Sequence, residues 1–258
     1  MHDVIIIGAG LVGLGVANAL QETNPSLRIL ILEKESGPAA HQSGHNSNVV
    51  HSGIYYAPGS LKAQLAKLGN QSMFAFCREH DLYHDQCGKV IVATQLKELD
   101  LLENIYQRGL QNGLAVSRLS QAQLREREPH VNGLEALLVP DAGIVNYSQV
   151  AAKLAEIIQQ LGGEIHYGQQ VEGISESSDD VSIRTQHTQY QAKWLVNCAG
   201  LFSDRIRPGR LPDGHEDRAV PWRVLRAERR EKLSGESPDL PGAQPGLSVP
   251  RRAFHPYV

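Results

Sequence analysis

The first thirteen residues constrain the fold most. Val4-Ile5-Ile6-Ile7 is a continuous apolar run that stops at glycine. Such a run fits a strand buried on both faces, as in a parallel sheet. Gly8-Ala9-Gly10-Leu11-Val12-Gly13 follows as G-x-G-x-x-G, and Leu11 to Glu22 carries helical spacing. Arg28 to Glu33 reads as a second buried strand, so the opening is one βαβ unit of about 30 residues. In that setting Gly8 permits the tight turn, Gly10 lets backbone approach a pyrophosphate, and Gly13 lets helix and strand pack closely. The helix N-terminus offers N–H groups and a positive dipole end to the anion. Glu33 ends the second strand twenty residues after Gly13. A carboxylate there can accept from both ribose hydroxyls and would repel a 2′-phosphate. A glycine-rich turn of no function is the competing reading. Strand, turn, helix, second strand and terminal carboxylate together count against it.

Composition narrows the class. The chain has 258 residues, 41% hydrophobic and 21% charged, with a formal net charge of −3. That balance carries no nucleic-acid footprint. The three cysteines, Cys77, Cys87 and Cys198, form no C-x-x-C pair, which argues against a disulfide framework or a structural zinc site. There is no H-E-x-x-H, no other metal-ligand spacing and no G-x-S-x-G elbow. No apolar run reaches the ~18 residues of a membrane span, and no signal peptide precedes the first strand. A soluble, cytoplasmic globular protein is the expectation.

Beyond the opening unit, His41 to Gly59 is rich in Gly, Ser, Asn and His and lacks both periods, so it reads as an ordered loop. Ser60 to His80 is helical with Ser60 as N-cap. Lys89 to Thr94 and Leu134 to Val139 read as strands, and Leu96 to Gly109 and Ser120 to Glu128 as helices. Tyr147 to Leu161 is an amphipathic helix closed by Gly162-Gly163. Short strands follow at 164–167, 171–176, 181–185 and 190–197, the last running into Cys198-Ala199-Gly200.

The loop from Glu33-Lys34-Glu35 through HQSGHNSNVVHSGIYYAPGSLKA (His41–Ala63) resembles the FAD-dependent L-2-hydroxyglutarate oxidase/dehydrogenase family, within the D-amino-acid-oxidase-like flavoproteins. Cys87-Gly88-Lys89 with VIVAT, Leu124 to Pro129, and Val139-Pro140 through Gly143-Ile144-Val145 support the same likeness. One departure is Asn48, where the family usually has glycine; a positive φ there would strain the backbone, though asparagine tolerates it better than most. The resemblance implies an α/β fold: a Rossmann-like FAD-binding domain at 1–85 and 145–206 with an inserted α+β substrate domain at 86–144, incomplete at the C-terminus. It implies FAD, with cofactor contacts at Gly8, Gly10, Gly13, Glu33, Lys34, Ser43, Gly44, Asn46, Ser47, Val171 and Gly200. An NAD dehydrogenase is the weaker alternative, since WLVNCAG after the Val171 strand resembles the second half of a flavoprotein domain.

The implied activity is oxidation of L-2-hydroxyglutarate to 2-oxoglutarate by hydride transfer to flavin N5. The partners would be a small 2-hydroxy acid and an electron acceptor, oxygen or a membrane quinone, with peripheral membrane association left open. Of His41, His45 and His51, the bet for general base or substrate-orienting group is His51; a histidine near its ordinary pKa can take a hydroxyl proton. Tyr55 and Tyr56 could close over the flavin, and Lys62 and Lys89 could meet a substrate carboxylate, although each is more ordinarily packing or a solvated charge. Alternatives are an oxidase of an amine, an amino acid or glycerol phosphate, and an inactive truncated remnant.

The composition breaks after Ile206. Residues 207–258 hold eight of the thirteen prolines and nine arginines but no isoleucine, a bias that reads as a disordered tail. Read one nucleotide later, Arg218 to Leu233 is compatible with VPFRGEYYEL, and the stretch ending at Val258 with a peptide ending GVHFTRM. Both resemble the family's continuation. The expectation is a frameshift near residues 206–209, in the gene or as an error in the sequence, with an authentic reading that ends there; the alternative is a genuine lineage-specific tail.

Overall fold

A computed structural model describes residues 1–206 and the backbone of Val224–Arg226. The chain begins with β1 (His2–Ile7), α1 (Leu11–Thr23) and β2 (Ile29–Leu32). A second compact unit, Asn48–Val145, contains β3 (Val49–Val50), α2 (Leu61–Glu79), β4 (His84–Asp85), β5 (Lys89–Ala93), α3 (Leu99–Gln111), β6 (Ser117–Leu119), α4 (Gln121–Arg127), β7 (Glu135–Val139) and β8 (Gly143–Val145). The chain then returns to the first unit with α5 (Tyr147–Gln160), β9 (Glu164–His166), β10 (Val171–Glu176), β11 (Val181–Thr185), β12 (Gln189–Asn197) and β13 (Val224–Arg226).

The first unit is one sheet in the order β10-β11-β12-β1-β2-β9, with β13 also paired to β12. β1 lies parallel to β2 and β12, and β2 parallel to β9, while β10, β11 and β12 form an antiparallel meander. The apolar run at the N-terminus explains this placement. Side chains alternate along a strand. Val4 and Ile6 therefore enter one core with Ile29, Ile31, Leu14, Ala17, Ala151, Ala155 and Ile158, where α1 and α5 cover the sheet. Ile5 and Ile7 enter the opposite core with Leu30, Leu32, Val171, Val181, Ile183 and Leu195. A polar residue at any of these four positions would be buried on one face or the other.

The second unit carries an antiparallel sheet, β5-β7-β6, and a ribbon, β3-β8-β4. Ile91, Ala93, Leu137 and Val139 pack on α3 through Leu102 and Ile105, and Val90, Val92 and Ala136 pack on Leu124 of α4. The sequence reading put the change of domain at residue 86. The structure differs because β3 and β4 both pair with β8, tying residues 48–85 to 143–145. Those pairings are long-range and two residues deep, so no local period announces them.

The Val224–Arg226 backbone pairs antiparallel with β12, within a stretch read from composition as disordered. The remainder of the expected tail lies outside the described residues. No helix among the described residues is long and apolar enough to cross a membrane.

Candidate functional site

The turn between β1 and α1 is built on absent side chains. Gly8 has φ +101°, and a Cβ on it would lie 2.5 Å from the Cys198 carbonyl oxygen. On Gly13 it would lie 2.0 Å from the Gly8 carbonyl oxygen, and on Gly10 3.1 Å from Ser43 Oγ. The Gly8 N–H donates to the Leu32 carbonyl and the Cys198 N–H to the Ile7 carbonyl, both at 2.8 Å, so the turn is locked between β2 and β12. The N-cap residue of α1, Gly10, has no side chain with which to cap the helix, and the first turn holds no acidic residue. The positive end is thus suited to an anion from outside. The Leu11 N–H donates to Ser43 Oγ at 3.0 Å, which fixes the 39–47 loop over that end.

Glu33 has a second task that the sequence did not show. It is buried, 8% exposed, and each carboxylate oxygen accepts a backbone N–H: Ala9 to Oε2 at 2.7 Å and Glu35 to Oε1 at 3.0 Å. One side chain therefore staples the glycine turn to the end of β2. Each oxygen keeps a lone pair with which a ribose hydroxyl could still be accepted.

Other predicted cofactor contacts sit in the same unit. Gly44 approaches the Ala39 carbonyl, where a Cβ would lie 2.3 Å from the oxygen. Asn46 Nδ2 folds back onto the Gln42 and Ser43 carbonyls at 3.1 and 2.7 Å, and Ser47 is exposed. Lys34 pairs with Glu35 and His41, and its ammonium lies 4.8 Å from the centre of the Phe202 ring. Lys34 thereby ties the exit of β2 to the exit of β12. Val171 buries its side chain in the sheet core and pairs with Thr185 at the start of β10. Gly200, at φ +58°, opens a short 3₁₀ turn after β12.

In the second unit, the loop leading to α2 is held rigid from several sides. Gly53 has φ +89° and Ile54 is fully buried under α3. Arg108 donates to the Tyr55 carbonyl at 2.8 Å and Asn112 to the Tyr56 carbonyl at 3.1 Å. Buried Asn70 donates to the Asp141 carbonyl at 2.9 Å, with longer contacts to the His51 and Val50 carbonyls. Asn48 takes φ +58° at the entrance to this loop, a left-handed conformation that asparagine tolerates better than most residues.

This scaffold gathers His51, Tyr55 and Lys89. The Lys89 ammonium lies 4.5 Å from the Tyr55 ring centre and has no carboxylate partner among the described residues. Burial pulls the Lys89 pKa down to about 8. Burial, and then the Lys89 charge, lower the pKa of His51. The Tyr55 hydroxyl is pushed up by burial. At neutral pH the cluster is a neutral imidazole beside a cation, with a phenol ring below. Lys62, the other lysine singled out from the sequence, is exposed and joins no such group. His41 and His45 belong to the first unit's loop, bonded to Glu35 and to the His41 carbonyl. Among the described residues, no group of three His, Cys, Asp or Glu is placed to hold a metal.

Comparison with known proteins supplies what the glycine turn leaves open, namely which dinucleotide it serves. A family model described as "FAD dependent oxidoreductase" matches residues 3–241. The chain belongs to the FAD-dependent oxidoreductase family. The L-2-hydroxyglutarate dehydrogenase of Escherichia coli K12 is 45% identical over 207 residues, covering 80% of this chain and 49% of that protein. The human mitochondrial L-2-hydroxyglutarate dehydrogenase is 39% identical over 267 aligned residues, covering 96% of this chain and 57% of that protein. The chain thus spans about half the length of the relatives it matches. Among solved structures, the L-α-glycerophosphate oxidase of Mycoplasma pneumoniae with FAD bound superposes with a TM-score of 0.71 at 25% identity, over 79% of this chain and 55% of that one. Glycine oxidase from Geobacillus kaustophilus shares the fold, with a TM-score of 0.72 at 23% identity over 79% and 56% of the two chains. The family match and the human alignment both run past Ile206, where the sequence reading ended the resemblance. The bacterial alignment stays within 207 residues. FAD-dependent oxidoreductases need a dinucleotide site, and the helix N-terminus without an acidic residue, the Cβ-free turn and the buried carboxylate fit one.

Proposed function

We propose that this FAD-dependent oxidoreductase oxidises L-2-hydroxyglutarate to 2-oxoglutarate. The observation that carries the reading is the isolated Lys89 cation beside neutral His51, in a chain 39–46% identical to proteins named for that substrate. FAD, when bound, supplies the two-electron acceptor. Gly8, Gly10 and Gly13 admit its pyrophosphate to the α1 N-terminus, and Glu33 accepts from its ribose. Lys34, Ser43, Gly44, Asn46, Ser47, Gly200 and the Val171 backbone complete its binding. Lys89 attracts a substrate carboxylate and gains a partner for a charge that burial disfavours. His51, neutral at pH 7, accepts the proton of the 2-hydroxyl as C2 is oxidised. Asn70 holds the His51 backbone while this happens.

The same reading takes oxygen or a membrane quinone as final acceptor, with association at the membrane surface in the second case. It takes the cytoplasm as the compartment, supported by three cysteines that form no disulfide. A panel of substrates against the FAD-loaded chain tests it. Flavin bleaching by L-2-hydroxyglutarate supports the proposal. Bleaching only by an amine, an amino acid or glycerol phosphate replaces the substrate, and a flavin that no donor reduces makes the chain a remnant.

A further inference from the structure

The turn that carries Tyr55 is gripped by one face of α3 and its C-cap. Ile105, Arg108, Gly109 and Asn112 recur at i, i+3, i+4 and i+7, the spacing of a single helical face. Each meets the turn in its own way. Ile105 shares a core with Ile54, which is 0% exposed. Gly109 leaves room for that side chain: a Cβ there would stand 3.3 Å from two Ile54 carbons and 2.8 Å from Val116. Arg108 Nη1 donates to the Tyr55 carbonyl at 2.8 Å, and Asn112 Nδ2 to the Tyr56 carbonyl at 3.1 Å.

The opposite side of the turn rests on α2. A Cβ on Gly53 would lie 3.0 Å from Ala66 Cβ. The next residue of that helix, Lys67, donates to the Gly113 carbonyl at 2.8 Å, just past Asn112, and so clips α2 to the end of α3. Within the turn, the Tyr56 N–H donates to the Gly53 carbonyl at 3.0 Å, which closes it on itself and leaves the Tyr55 and Tyr56 carbonyls to outside donors. What the turn presents is the Tyr55 ring, whose centre lies 4.5 Å from the Lys89 ammonium. A lysine ammonium is a point charge on a flexible four-carbon stem. Lys89 has no carboxylate partner among the described residues. The ring face is therefore what holds that cation in place, by the attraction of a cation to an aromatic quadrupole.

We infer that Arg108 and Asn112 are positioning residues: through the two tyrosine carbonyls they keep the Tyr55 ring against the Lys89 ammonium and so set where that cation stands. That the cation then meets a substrate carboxylate rests on the proposed function. The hold on the cation does not. Both residues are half-buried and act through backbone carbonyls, while Ile54, Leu102 and Ile105 keep their own core. Removing the two donors should therefore free the ring without unfolding the unit.

Two readouts on the double variant Arg108→Met, Asn112→Ala test it. The first needs neither flavin nor substrate. An amine-acylating reagent is applied across a pH series, and modification of Lys89 is followed by peptide mass spectrometry. Lys89 should be half-titrated at about 8 in the unaltered chain, where burial disfavours its charge. In the double variant the value should move toward an ordinary lysine's, about 10.4, because the ring no longer screens the ammonium from water. A move to about 9 slows labelling at pH 8 by about fivefold, the fall in free amine. The second readout is steady-state turnover of L-2-hydroxyglutarate by the FAD-loaded protein. KM should rise about tenfold with kcat held, the pattern of lost binding common to ground and transition states. Arg108→Lys in place of Arg108→Met keeps a donor and should restore most of both. Gln107→Ala, which removes only the pair with Glu103 on the same helix, should change neither. Each single variant should show the same shifts in smaller measure, and serves if the pair lowers the urea midpoint. An unchanged Lys89 titration in a double variant with native circular dichroism overturns the inference, whatever the substrate proves to be. So does an equal shift in Gln107→Ala, or a fall in kcat with KM unchanged. If the unaltered chain turns over no L-2-hydroxyglutarate, the proposed function fails and the labelling alone decides the hold on Lys89.

Discussion

Two alanines on one helix separate close packing from helix propensity. Gly13 and Gly15 both lie in α1. A Cβ on Gly13 would stand 2.0 Å from the Gly8 carbonyl oxygen, 3.2 Å from its carbon and 3.3 Å from Cys198 Cβ. Two of these atoms are backbone, held by the hydrogen bond from the Gly8 N–H to Leu32. Restoring an ordinary 3.4 Å contact requires the helix to withdraw by about 1.4 Å, the difference between 3.4 and the 2.0 Å observed. That movement would pull Leu14 and Ala17, both 0% exposed, out of the α1–α5 core. Gly13→Ala should therefore cost about 3 kcal/mol or more, at or above the upper end of ordinary overpacking. A Cβ on Gly15 meets nothing within 4 Å, so Gly15→Ala should stabilise by about 0.5–1 kcal/mol through helix propensity. Urea unfolding followed by far-UV circular dichroism reads both. With m of about 1–3 kcal/mol/M, Gly13→Ala should lower the midpoint by about 1–3 M, and Gly15→Ala should raise it slightly. Equal midpoints for the two variants would refute the packing argument and return Gly13 to an ordinary helical position.

Other outcomes follow from the same geometry. Gly10→Ala meets only Ser43 Oγ at 3.1 Å, so it should fold with a near-normal midpoint yet lose FAD affinity, measured by flavin fluorescence quenching; unchanged affinity would remove Gly10 from the pyrophosphate site. The pH profile of kcat/KM should rise through a His51 pKa below the ordinary 6.5 and fall through Lys89 at about 8; a profile flat from pH 5 to 9 would contradict both roles. Lys89 binds its proton less tightly in the fold, at about 8, than in the unfolded chain, at about 10.4. Stability should thus be full above about pH 10.4 and decline as pH falls toward 8, and Lys89→Met should abolish that slope in urea midpoints. We also propose a one-nucleotide shift near codons 206–209, which predicts that the downstream DNA continues the family's sequence in the second frame; DNA with no such continuation refutes the shift.

Much of the first unit was legible because its signals are local. Four apolar residues before G-x-G-x-x-G can only be a doubly buried strand, and their alternation into two cores follows from the strand's period of two. The second unit was read less completely. β3, β4, β6 and β8 are two or three residues long and exist only through partners far away in sequence, so no periodicity marks them. The same pairings carry residues 48–85 into the second unit. At the site, residue types were visible but environments were not. Glu33 was legible as a strand-end carboxylate, yet its hold on the Ala9 and Glu35 N–H groups depends on how the turn closes. Lys89 looked like one lysine among several. Its half-buried place over Tyr55 beside His51, with no carboxylate partner among the described residues, is a tertiary fact. Asn70 gave no signal at all, since its role comes from the Val50, His51 and Asp141 carbonyls that the fold places around it. Asn48 was weighed only for the strain that a positive φ would bring, and the structure has φ +58° there.

The central claim, that this chain pairs an FAD site with a hydroxy-acid site built on His51 and Lys89, is tested most directly by one anaerobic mixing experiment. The FAD-loaded chain is mixed with L-2-hydroxyglutarate and the flavin's visible absorption is followed, beside His51→Asn loaded to the same FAD content. The account predicts bleaching in the unaltered chain, with 2-oxoglutarate formed one for one with reduced flavin, and slowing of about a hundredfold or more in His51→Asn, the lower range for losing a general base. Bleaching at equal rates in both proteins would contradict it, as would a fully loaded flavin that stays oxidised in both.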